Sequence, residues 1–349
     1  MTVVALSHGY PPLWNMGGEV SLHRTMKAIK EESYVLTKTD RSYTFEGINV
    51  RQINTPDVLD INADPRPIAQ QLAELNARVV IGQNELSLPA VLAAKDIGAT
   101  SIVNVHTPPK YGGGISAAML ESDYAIYNTR AAAKEWGEPD AFVLHPPISP
   151  IPNSISNTGD AYTLLSSLTN KGVTVVIDLA KIYPNKRFII VRSPAEPTHG
   201  LKDIEEIVSK IPNIELHPRV APENVDIYLK QTRILLVPSR YETYGMSAIE
   251  AAGYGIPSVH VDTPHVREGI GGAAVLIKPL NVMGAQRGIN QIEKYYNKFS
   301  ENARLKAESL HARQEVELSQ FAELIETIKK PASNDLRRKS IALATRKYF

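Results

Sequence analysis

Short runs of β-branched and other apolar residues recur along the chain, separated by segments whose apolar residues fall at helical spacing. Val3–Leu6, Val79–Ile81, Ser101–Val105, Tyr124–Tyr127, Phe142–Leu144, Phe188–Val191, Ile234–Val237 and Ser258–Val261 read as strands. Gly18–Lys30, Pro67–Asn76, Leu88–Ile97 and Val173–Ile182 read as helices between them. Parallel strands need long crossovers, and helices supply them, so the alternation points to an α/β fold built on parallel sheets. Such sheets take their ligands at the carboxyl ends of the strands. No fixed-period repeat interrupts the pattern.

With 349 residues the chain exceeds one core of ~100–200 residues, and two domains are expected. The boundary is HPPISPIPNSISNTGD, residues 145–160, whose four prolines with Asn, Ser and Gly exclude a helix or central strand. The expected layout is therefore a first domain over 1–148, a linker over 149–160, a second domain over 161–330 and a final helix over 331–349. Lys plus Arg (38) balance Asp plus Glu (37), so no global charge draws the chain to nucleic acid or anionic lipid. The absence of cysteine excludes disulfides and thiolate metal sites. The start MTVVALSHGYPP lacks the features of a secretion signal and no window is apolar enough to span a bilayer, so a cytoplasmic protein is expected. One segment is biased: Lys329 to Phe349 carries seven Lys/Arg and one Asp. It reads as a helix, capped by Ser333 or Asn334, that packs Leu336, Ile341 and Leu343 on the body. A nucleic-acid or membrane contact is the sharper reading of the same charges and is ranked second.

The segment SRYETYGMSAIEAAGYGIPSV, residues 239–259, holds the residues with the clearest chemistry. It parses as the loop after a strand, then a helix from Gly245 or Met246 to Ala252, stopped by Gly253 and Gly255. A helix opening at a strand's carboxyl end points free N–H groups and a positive dipole end at the ligand crevice, which suits a phosphate. Glu250 is the one charge between Gly245 and Val259, one turn inside that helix among alanines. A carboxylate there needs strong hydrogen bonds, and a vicinal diol such as a ribose 2′/3′ pair offers two donors. Glu242, in the loop, can accept hydroxyls from a neighbouring ring. Taken alone, the pair has a plainer reading, with Glu250 bound to Arg or Lys and Glu242 facing solvent.

The residues around the pair shift that balance. Pro238-Ser239, Glu242, Gly245, Glu250-Ala251, Gly255-Ile256-Pro257 and Arg267-Glu268, followed by GGAAVLIKP, fit in order a known signature. Together they resemble the donor-binding region of family 4 glycosyltransferases, retaining enzymes of the GT-B architecture with an E-x7-E pair. Asn170-Lys171-Gly172 is similar to that family's Lys-Gly element, and PPLWNMGGEVSLHR to its Pro-Pro and Gly-Gly-x-E loop. His106, ending the strand in SIVNVHTPP, stands where the family carries a histidine near the donor sugar. His8 and His145, also at strand ends, are read as structural.

The resemblance implies two Rossmann-like, doubly wound domains facing across a cleft, with the last helix crossing back to the first. It implies sugar transfer from a nucleotide-diphosphate-sugar to an acceptor hydroxyl, with retention and without an essential metal or other cofactor; no D-x-D metal motif occurs. Glu250 is then assigned to the ribose and Glu242 to the donor sugar. Lys171 and the amides of Tyr244, Gly245 and Met246 go to the diphosphate. Gly17 and Gly18 bring backbone to the diphosphate or acceptor, and His106 serves the sugar from the opposite wall. The catalytic set is His106, Glu242 and Lys171. An arginine that the family carries shortly before Lys-Gly is replaced here by Ser166 or Ser167, and Arg192 is the candidate second phosphate partner. Rival readings are a non-catalytic nucleotide-sugar binder and an epimerase or phosphorylase on the same fold. Protein, small-molecule and modified-DNA acceptors stand open, and a lipid acceptor is disfavoured.

Overall fold

The structure is a computed structural model that describes residues 2–14, 16–53, 64–112, 115–152, 159–193, 201–221, 224–331 and 333–346. The strands are β1 (Thr2–Leu6), β2 (Glu32–Thr37), β3 (Tyr43–Phe45), β4 (Ile48–Gln52), β5 (Ala77–Gln83), β6 (Thr100–Val105), β7 (Tyr124–Tyr127), β8 (Ala161–Leu164), β9 (Phe188–Val191), β10 (Ile214–His217), β11 (Thr232–Val237), β12 (Ser258–Val261) and β13 (Ala274–Ile277). The helices of the first half are α1 (Gly17–Lys27), α2 (Arg66–Glu74), α3 (Ser87–Asp96), α4 (Ser116–Glu121) and α5 (Arg130–Glu135). Those of the second are α6 (Val173–Ile182), α7 (Leu201–Ser209), α8 (Asp226–Leu229), α9 (Met246–Gly253), α10 (Pro264–Glu268), α11 (Val282–Lys294), α12 (Tyr296–Thr327) and α13 (Asp335–Thr345). Two compact units result, Met1–Pro147 with Gln314–Phe349, and Ile148–Arg313.

The first unit holds a seven-stranded sheet of order β3-β4-β2-β1-β5-β6-β7, parallel except for the edge strand β3. Side chains on a strand alternate between faces, so β1 serves two cores at once. Val3 and Ala5 pack with Val79 and Ile81, whereas Val4 and Leu6 pack with Val80 and Leu72 on the other side. Strand order reverses at β1, whose neighbours are β2 and β5. That reversal opens a crevice at the carboxyl ends of β1 and β5.

The second unit holds a six-stranded, wholly parallel sheet of order β10-β9-β8-β11-β12-β13. Leu164, Ile190, Ile234 and Leu236 line one core, and Leu235 and Val237 point into another with Ile249 and Ala252 of α9. Here the order reverses between β8 and β11.

Most sequence-based elements stand, with three corrections. Phe142–Leu144 is no strand: only an isolated bridge joins Val143 to Tyr127. The return to the first unit lies within α12, not at Pro331, because residues 314–330 belong to the first unit. Ala303, Ala307 and Leu310 of α12 pack in the second unit's core, while Phe321 and Ile325 pack in the first's. The division between the units falls at 147/148, within the proline-rich stretch, and linker residues 153–158 lie outside the described residues. Finally, α13 does not pack the side expected: Ile341 is buried, but Leu336 and Leu343 are exposed. Asn334 stands at its N-cap without a side-chain capping bond.

Candidate active site

In the second unit the reversal between β8 and β11 joins two loops that are 71 residues apart in sequence. After β8 the chain reaches Lys171, and after β11 it reaches Glu242. Lys171 Nζ donates to Glu242 Oε1 at 2.7 Å, and Ser239 Oγ donates to the same oxygen at 2.8 Å. Lys171 is 37% exposed and Glu242 13%, so the lysine is the more accessible partner. Backbone contacts lock the two loops. Arg240 N donates to Asn170 O at 2.8 Å, and Thr263 Oγ1 donates to Glu242 O at 3.0 Å. Gly172 (φ 91°) lies against Pro238, where a Cβ would come within 2.7 Å of the proline. The ammonium and carboxylate are thus held at the carboxyl edge of the sheet by backbone as well as by each other.

The same loop ends at Gly245, the N-cap of α9, in the left-handed conformation (φ 87°, ψ 47°). No side chain caps this helix, so its first amides, at the dipole's positive end, are left for another partner. Beneath the glycine sits His260, fully buried, whose Nε2 is 2.6 Å from where a Cβ at position 245 would lie. His260 Nδ1 donates to Val261 O at 3.0 Å and Nε2 has no hydrogen-bond partner, so the ring is the neutral tautomer with its lone pair toward Gly245. Burial lowers its pKa, which keeps it neutral. Sequence reasoning missed His260; the signal was one imidazole inside the apolar strand SVHV. Tyr244 is buried, with its hydroxyl accepting from Arg313 Nη2 at 2.7 Å, and Met246 is half-buried at the first turn.

Glu250 is half-buried rather than enclosed. Ile249, Ala251 and Ala252 take the core side of α9, and Glu250 faces the other way. It accepts from Ser149 Oγ at 3.4 Å and lines a cavity of about 210 Å³ with Ile148, Pro150, Asp226 and Tyr254. Its neighbour there, Ser149, comes from the proline-rich boundary. Arg192 ion-pairs with Glu205 of α7 and lines a separate hollow with Val208, Pro212 and Leu216. Arg267 pairs with Asp262 through two contacts of 2.6 Å.

In the first unit, Gly17 and Gly18 open α1, which has no side-chain cap. A Cβ at Gly17 would meet nothing within 4 Å, so backbone is open to approach there. Gln83, at the end of β5, lies under this helix start: its Nε2 is 3.4 Å from a Cβ placed on Gly18. The register of β5 and β6 sets Gln83 opposite Asn104, whose Nδ2 donates to Gln83 Oε1 at 3.2 Å. Gln83 Nε2 is buried without a partner, a second polar residue that sequence reasoning passed over. His106 follows β6, half-buried, with Nε2 unpartnered; burial pushes its pKa down to about 4.

That shift has a consequence for stability. The unfolded state binds the His106 proton below about 6.5 and the folded state only below about 4. Stability is therefore expected to fall as pH drops from 6.5 toward 4, and the imidazole resonance of His106 to titrate near the lower value in a pH series of NMR spectra. A titration near 6.5 would contradict the burial described.

The fold is the GT-B architecture, two doubly wound α/β units each built on a parallel sheet. Residues 159–306 match the family described as Glycosyl transferases group 1. The fold matches that of solved glycosyltransferases over nearly the whole chain. HepE from Anabaena, solved in complex with UDP-glucose, is 15% identical with a TM-score of 0.77, covering 94% of this chain and 100% of that one. Sucrose-phosphate synthase from Thermosynechococcus elongatus is 13% identical with a TM-score of 0.74, covering 93% and 98%. A glycosyltransferase from Rickettsia africae is 12% identical with a TM-score of 0.72, covering 94% and 99%. No curated protein matches the sequence.

Proposed function

We propose that the chain transfers a sugar from a nucleotide-diphosphate-sugar to an acceptor hydroxyl with retention at the anomeric carbon. The observation that carries this is the meeting of Lys171 and Glu242 beside the uncapped start of α9, at the strand-order reversal of the second unit. In transfer the anomeric C–O bond to the diphosphate breaks and a bond to the acceptor oxygen forms. The acceptor's proton passes to a diphosphate oxygen. Negative charge grows on the departing diphosphate, where the amides of Gly245 and Met246 and the Lys171 ammonium stand preorganised. Glu242, tied to Lys171, accepts donor-sugar hydroxyls and keeps the lysine aimed. Glu250 accepts the ribose diol; His106, held neutral, offers a hydrogen bond to the sugar but no positive charge.

The relatives support the donor class, since HepE is solved with UDP-glucose. Thermal shift with UDP-, GDP- and ADP-sugars tests it, because ligand binding to the native state raises Tm. One donor series is expected to raise Tm in the wild type and to fail in Glu250→Ala; no shift from any nucleotide-sugar would overturn the reading. The transfer is expected to run without a metal, so EDTA should leave turnover within about twofold of the untreated enzyme. A loss restored by Mg²⁺ or Mn²⁺ would show that the lysine and helix dipole do not carry the diphosphate charge alone.

A further inference from the structure

Helix α13 rests on the first unit through a side that is largely polar. Arg337 donates to Met119 O and Ser122 O at the end of α4 and pairs with Glu138. Arg338 donates to Leu120 O, and Ile341 inserts between. The opposite side presents Leu336, 84% exposed, and Leu343, 75% exposed, seven residues apart and so two turns along one face. Lys339 and Arg346 are exposed on that same face, three residues beyond each leucine, and Lys329 and Lys330 are exposed just before the helix. Among the described residues none of these four cations makes an ion pair. The charge is also polarised along the chain. Of 37 acidic residues, 36 precede Lys329, whereas the tail from Lys329 holds seven of the 38 basic ones.

We propose that α13 is an interfacial helix that docks the protein on an anionic lipid bilayer. Leu336 and Leu343 enter the headgroup–acyl boundary while Lys339, Arg346 and the lysines at 329 and 330 lie among the headgroups. Each signal alone gives weak, reversible binding; an apolar ridge flanked by a basic cluster supplies two. The net-acidic remainder of the chain is repelled by the same surface, which turns the tail toward it. Nucleic acid is the poorer occupant, because a phosphate backbone gains nothing from two exposed leucines. Among the described residues no helix is long and apolar enough to cross a membrane, so the contact is peripheral. The proposal stands apart from the transfer reaction and does not depend on it.

The full chain is sedimented with vesicles of phosphatidylcholine alone or of phosphatidylcholine mixed with phosphatidylglycerol. It is expected to pellet with the mixed vesicles only and to be released at high salt, where headgroup attraction is screened. Leu336→Ser/Leu343→Ser and Lys339→Glu/Arg346→Glu are each expected to weaken binding about tenfold or more, with Tm unchanged because all four side chains are exposed. Three results would overturn the proposal: no pelleting with mixed vesicles, equal pelleting by the leucine double variant, or a dimer in solution that this variant dissolves. The last would give the face to a second copy of the chain.

Discussion

Lys171→Ala is expected to lower turnover about 10²–10³-fold, the usual cost of removing one preorganised group from a site where negative charge develops. The structure gives the reason for placing so much on one side chain. Arg192, which the sequence offered as a second cation, ion-pairs with Glu205, whereas Lys171 is held against Glu242 in the loop that leads into α9. The pairing with Glu242 adds a second expectation. Because the two side chains act as a unit, the double variant Lys171→Ala/Glu242→Ala should lose far less than the product of the single losses. Steady-state rates of donor consumption for the four proteins check it. Strict multiplication would mean that the 2.7 Å contact does not organise catalysis.

Gly245→Ala is expected to destabilise the second unit by about 2–6 kcal/mol, from two sources of similar size. A β-carbon at φ 87° carries backbone strain of about 1–3 kcal/mol. Its 2.6 Å approach to His260 Nε2 adds an overpacking cost of about 1–3 kcal/mol. Calorimetry should show Tm lowered by roughly 5–15 °C. Measured against His260→Ala alone, which removes the clashing ring, adding Gly245→Ala should cost only the strain, about half of its loss in the wild-type background. An unchanged Tm in Gly245→Ala would show that the turn at the start of α9 is not the one described.

Both expectations depend on features that were unequally legible in the sequence. The strands β7 and β9 are largely apolar runs and were read to the residue, as was β12 despite Ser258 and His260, because all three are mostly buried. β10 was passed over because its IELH alternates and is only partly buried at the sheet's edge. β8, AYTL, is fully buried, but its Thr and Tyr dilute the apolar signal. The faces of α13 were misjudged because Leu336 and Ile341, five residues apart, lie on roughly opposite sides of a helix. Leu343 sides with Leu336, and Ile341 goes inward alone. Glu242 and Glu250 were legible as local chemistry, each with its loop or helix. Their surroundings were not, since Lys171 reaches Glu242, and Ser149 reaches Glu250, only once the strand order is known. His260 and Gln83 left little trace, because each is one polar residue whose meaning comes from the glycine it touches.

The central claim is retaining transfer from a nucleotide-sugar at the Lys171–Glu242 site. Its most direct test is proton NMR of UDP-, GDP- and ADP-sugars incubated with the enzyme, with water as acceptor, reading which anomer of the free sugar forms first. The account predicts slow consumption of one donor series, release of the anomer matching the donor before mutarotation, and loss of both in Lys171→Ala. First release of the opposite anomer, or a wild-type enzyme that consumes none of the donors, would contradict it.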